Sequence, residues 1–162
     1  MRTLPRAPIY AFAALLAAMP AVKAQALGDK KALTLEIAKK MAEAAEKTAL
    51  ANKWNMSITV LDDGGNLLYL ERMNDASIAS TQIAQQKAHT AVIFKSPSKD
   101  FQEGLGKGNM SYLKLDALPF EGGIPIIVGG KLIGAIGVSG GTAVQDGQVA
   151  KAGADWFAAN VK

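Results

Sequence analysis

The 162-residue chain has no cysteine. Disulfides, thiolate metal sites, thiol catalysis and the C-x-x-C-H attachment of covalent haem are therefore excluded. There is one histidine, His89, so the His-rich ligand set of a catalytic zinc cannot be assembled. Neither G-x-G-x-x-G nor G-x-x-x-x-G-K-[ST] occurs, which leaves phosphate cradling without support. The apolar run Ala7–Met19 spans 13 residues, short of the ~20 that a bilayer crossing requires.

That run has its own meaning. Arg2 and Arg6 precede it, no acid occurs before residue 27, and the small-x-small exits Val22-Lys23-Ala24 and Ala24-Gln25-Ala26 follow it. A charged start, a short apolar core and a small-residue exit predict a cleavable secretory signal over residues 1–26, cut after Ala24 or Ala26. The remainder, residues 27–162, fits a single domain. It is expected to be periplasmic or secreted, with no stable membrane insertion after cleavage. The leader takes three of the 18 Lys+Arg and none of the 14 Asp+Glu, leaving 15 bases against 14 acids. A balance of +1 removes the case for a nucleic-acid partner.

Periodicity orders the rest. Thr34 can cap a helix to about Asn52, with Leu35, Ala38, Met41, Ala42, Ala45 and Ala49 at helical spacing. Met56–Asp62 and Leu67–Met73 alternate about the turn Asp63-Gly64-Gly65-Asn66, a hairpin signal. Ser77–Lys95 reads as a second helix, stopped at Ser96-Pro97. Residues 97–119, broken by Gly104, Gly106 and Gly108, read as an irregular functional flap. A second hairpin follows, 123–128 and 131–138, apolar on both faces and so expected at the sheet centre. Thr142-Ala-Val-Gln145 is a capping box opening the last helix. The order α-β-β-α-(flap)-β-β-α predicts an α+β sandwich, with a central antiparallel sheet of about five strands flanked by helices.

Two constellations bear on chemistry. Gly137-Val-Ser139-Gly-Gly141 fits the G-x-S-x-G nucleophile elbow, which would make Ser139 the nucleophile of a small esterase-like hydrolase. Against that, His89 lies upstream of the serine, the strand belongs to a tight hairpin, and the domain is small for that fold. The reading those points favour is that small residues let the chain turn tightly from a central strand into a capped helix. On the second helix, Ile83, Ala84, Lys87, Thr90, Ala91 and Phe94 share one side. A lysine in an apolar stripe must snorkel, pair with a carboxylate or meet an anionic ligand. Asp62, Asp63, Glu71 and Asp75 are near in sequence, so an ion pair and ligand binding both stay open. His89 falls with Gln82, Gln85 and Gln86 on the polar side, and it is the one imidazole available to a metal or haem iron.

Lys87-Ala88-His89-Thr90-Ala91, the turn Asp62–Asn66, Glu71-Arg72-Met73, Gly122-Gly-Ile-Pro-Ile126 and Ile133–Gly141 occur together in order. In this combination the chain resembles the GlcG/HbpS-like family, which includes the C-terminal domain of PduO, over about residues 33–159. The resemblance implies an α/β sandwich that self-associates, with haem or another tetrapyrrole as cofactor in some members. It further implies haem storage, sensing or breakdown, in some cases with a membrane sensor partner. By the K-A-x-T-A pattern it places Thr90 nearest the iron, Lys87 as a propionate or pocket partner and Ala91 beside them. His89 fills the variable position as a metal ligand of this chain alone. Phe94 is a candidate wall and Arg72 a candidate partner for the acid groups. An exported tetrapyrrole binder is the leading expectation. The Ser139 hydrolase and an oligomerising interaction module without ligand are the alternatives.

Overall fold

Helix starts follow the caps written in the chain. The computed structural model describes residues 30–161; the expected leader 1–26 and its cleavage positions lie outside them. The Thr34 hydroxyl accepts from the Ile37 amide and opens helix α1 (Leu35–Ala51). The Ser77 hydroxyl accepts from the Ser80 amide and opens α2 (Ile78–Phe94). Lys95 closes α2 in the left-handed region at φ 52, one step before Ser96-Pro97. Thr142 and Gln145 satisfy each other's amides in a reciprocal capping box at the start of α4 (Ala143–Asn160).

The first hairpin is β1 (Ser57–Asp62) and β2 (Leu67–Arg72). Its turn is held by the Asp62 carboxylate, which accepts from the Gly64 and Asn66 amides at 2.8 Å each. The second is β3 (Gly123–Val128) and β4 (Lys131–Ser139). All pairings are antiparallel, in the order β2-β1-β4-β3. The sheet thus has four strands where about five were expected. The flap contributes none, because it folds as α3 (Ser98–Gly106) and a 3-10 turn, Met110–Lys114. Gly104 does not break α3. A Cβ there would collide with the Tyr112 ring, which also packs on Phe101 at 5.2 Å.

The second hairpin is central in one strand only. β4 is buried from Ile133 to Ser139, whereas β3 is an edge with Ile127 half exposed. Pro125, which lacks an amide hydrogen, is tolerated there for that reason.

Helices α1 and α4 cover one face, burying Met41, Ile58, Val60, Ile136, Val149 and Phe157. Helix α2 covers the other, over Leu61, Ala88, Ala91, Val92 and Ala135. The register pairs Gly123 with Gly137. A Cβ on Gly137 would strike the Ala84 carbonyl, and one on Gly123 the Lys87 carbonyl. Two missing side chains let the α2 backbone lie directly on the sheet. That contact fixes where α2 places His89.

Candidate functional site

A cavity of about 400 Å³ opens where the second half of α2 passes the first hairpin. Leu61, Gly65 and Leu67 of the hairpin form one wall, and Gln85, Gln86, His89 and Thr90 of α2 another. Leu115–Leu118, after the 3-10 turn, close the third side. The volume lies within the ~300–1,000 Å³ of small-molecule sites, and apolar walls around a few polar groups are their usual make-up.

His89 is half buried, and its ring lies beside Gly65, where a Cβ would come to 3.4 Å from Cδ2. Gly65 has φ +79, so the turn that needs a glycine also leaves the imidazole room. The buried Thr90 hydroxyl is committed on two sides. It donates to the Gln86 carbonyl at 2.9 Å and accepts from the Leu118 amide at 2.8 Å.

The other expected residues lie elsewhere. Ala91 packs in the α2–sheet interface. Phe94 packs against Phe101 in a tilted pair, ring centroids 4.7 Å apart. Arg72, exposed, gives its Nε proton to the Ala76 carbonyl at 3.0 Å. It pairs in register with Ser57, whereas the cavity residue Leu67 pairs with Leu61 at the far end of the hairpin. Lys87 does not line the cavity: its Nζ meets Asp146 Oδ2 at 2.5 Å, with both side chains almost wholly buried. None of the four acids near it in sequence is that partner; Asp146 is 59 residues away. Burial pushes the Asp146 carboxyl above its usual range, while Lys87 and the Gly141 and Gly140 amides pull it back.

The same carboxylate explains the G-V-S-G-G turn. Gly141 donates its amide to Asp146 Oδ1 at 2.9 Å, and Gly140 has φ +144 against the Asn55 carbonyl. Ser139 pairs with Ser57 at one end of β1, while the Gly65 turn and His89 lie past Asp62 at the other. Five residues of strand put about 17 Å between the two ends. A serine nucleophile needs its base within hydrogen-bond reach; here the small residues serve the turn.

Gln85, Gln86 and Leu115–Leu118 were not anticipated as lining. The glutamines were legible as the helix face shared with His89, but nothing in the flap's composition says which of its residues fold back onto α2. Among the described residues, no group of three or more His, Asp or Glu side chains is placed to hold a metal. Among the described residues, no lysine or arginine lines the cavity, and one acid, Asp116, does.

Comparison with known proteins agrees with this architecture. Residues 33–155 match the family described as haem degrading protein HbpS-like. Protein GlcG of Escherichia coli is 41% identical over 111 residues, 68% of this chain and 83% of GlcG. A crystal structure of a double mutant of HbpS from Streptomyces reticuli superposes with a TM-score of 0.75 at 33% identity, covering 87% of this chain and 98% of the other. A crystal structure of a PduOC:heme complex superposes with a TM-score of 0.71 at 28% identity, covering 77% and 94%. The chain belongs to the HbpS-like family.

Proposed function

We propose that this protein binds haem or a closely related tetrapyrrole in the cavity between α2, the first hairpin and residues 115–118. One observation carries the reading: the single imidazole of the chain lines a cavity into which the hairpin and residues 115–118 bring four leucines, Leu61, Leu67, Leu115 and Leu118, beside one acid, Asp116. A flat apolar macrocycle needs such walls, and its iron needs such a donor. Bound haem supplies an iron with axial positions and an intense Soret absorption. His89 is the residue that would hold the iron, and Leu61, Leu67, Leu115 and Leu118 would exclude water from the ring. Among the described residues the lining holds no cation and one acid, Asp116, so the ring's acid groups would point to solvent, away from that carboxylate. Lys87 serves the interior instead, and Thr90 serves the wall.

Titration of the purified protein with haemin tests this. A Soret shift saturating at one haemin per chain, weakened at least tenfold in His89→Ala, supports it. An unchanged free-haemin spectrum refutes it.

Export to the periplasm or beyond, through removal of residues 1–26, belongs to the same proposal. So do self-association and a membrane sensor partner. N-terminal sequencing of exported protein should begin at residue 25 or 27, and retention of Met1 would count against export. The family description favours haem breakdown as a second reading. Slow loss of the Soret band with release of iron would separate it from storage or sensing.

A further inference from the structure

The three walls of the cavity are not held alike. Gly65 and Leu67 are set by the hairpin, and Gln86 and His89 by the hydrogen-bond ladder of α2. Residues 115–119 belong to no helix or strand. They hang between two fixed points on α3. Before them, the Tyr112 ring packs on Phe101 and over Gly104. After them, Ser98 Oγ donates to the Phe120 carbonyl at 2.6 Å, and the Glu121 amide donates to Gln102 Oε1 at 2.8 Å.

Between these points, among the described residues, one hydrogen bond ties residues 113–119 to α2: Leu118 N–H to Thr90 Oγ1. Apolar burial adds little on the outer side, since Leu113 is 65% and Leu115 41% exposed. The Thr90 proton is already given to the Gln86 carbonyl. Its oxygen therefore faces the Leu118 amide as an acceptor of fixed direction.

We infer that residues 113–119 are a lid over the cavity and that the Thr90 hydroxyl is its latch. This rests on the tetrapyrrole reading for the identity of what passes, but not for the motion itself. Opening requires one hydrogen bond to break while both anchors on α3 stay in place. A rigid ring too large to slip past Leu115 and Leu118 then enters and leaves at a rate set by the latch. Thr90 acts here as a positioning residue, through the wall it holds. A partly buried hydrogen bond of this kind is worth up to about a tenfold change in the open population when one partner is removed.

The test compares Thr90→Val, which keeps shape and loses the acceptor, with Thr90→Ser, which keeps the hydroxyl. In the ligand-free full chain, trypsin cleavage after Lys114, on the lid, should be about tenfold faster in Thr90→Val and unchanged in Thr90→Ser. Cleavage after Lys99, on α3, should be the same in all three. Haemin should also dissociate about tenfold faster from Thr90→Val. Equal cleavage after Lys114 in Thr90→Val and the wild type overturns the lid. If Thr90→Val is cut faster at Lys99 as well, it has lost its fold. Leu118→Pro, which removes the amide donor and leaves Thr90 intact, then decides by the same comparison. If haemin binds neither protein, the tetrapyrrole reading fails, and the cleavage ratio still decides the lid.

Discussion

Lys87 and Asp146 hold one another in a space that neither enters cheaply. Gly122 makes the space: a Cβ there would come to 3.0 Å from both Lys87 Cδ and Asp146 Cβ. Removing one partner of a buried pair leaves an uncompensated charge, at a cost of about 3 kcal/mol or more. Lys87→Met should therefore destabilise the fold by about 3 kcal/mol at pH 7. The loss should shrink towards pH 4. Asp146 already titrates above its usual range, so the folded state binds its proton more tightly than the unfolded chain does. Its contribution to stability is complete below the unfolded pKa and falls as pH rises through the folded one. Without Lys87 that upward shift can only grow. Denaturant melts across this range check it, and a pH-independent loss would contradict the pairing. Periodicity located Lys87 as a lysine that had to be satisfied. It left the partner open because Asp146 meets it through the third dimension. Thr90 was legible in the same way, as a hydroxyl on the apolar side of α2 whose bonding partner, a flap amide, carries no side-chain signature.

Helix α2 shows what an element owes to side chains it lacks. It rests on the Gly123–Gly137 pair, and any Cβ at Gly137 must displace the Ala84 carbonyl. Gly137→Ala should cost about 3 kcal/mol, at the upper end for overpacking. Because α2 carries His89, the variant should also lose haemin affinity at temperatures where it remains folded. Thermal melts and titration of the same preparation check both, and a Tm within a degree of the wild type would contradict the contact. The boundaries of α1, α2 and α4 were legible from Thr34, Ser77 and Thr142, since capping is local chemistry. Helix α3 was not. Gly104 reads as a breaker until Tyr112, eight residues on, is seen to occupy the space its side chain would take. The edge position of β3 was equally hidden, because apolar strands look alike until the order of pairing is known.

At the scale of the whole molecule, the sheet separates two tasks. The α1/α4 side holds the larger core, with Met41, Met56, Ile136 and Val138 fully buried. The α2 side has a smaller cluster, with the cavity next to its outer end. Packing that needs bulk is thus kept apart from the site that needs space. The most direct test of the central claim fills that space. Gln85→Trp puts an indole into the cavity from α2, and Ala158→Trp puts one on α4, at a groove beside β3. If the cavity is the tetrapyrrole site, haemin titration of folded Gln85→Trp will show the Soret shift abolished or weakened at least a hundredfold, and Ala158→Trp will saturate like the wild type. Full haemin uptake by Gln85→Trp would place the ligand elsewhere and contradict the account.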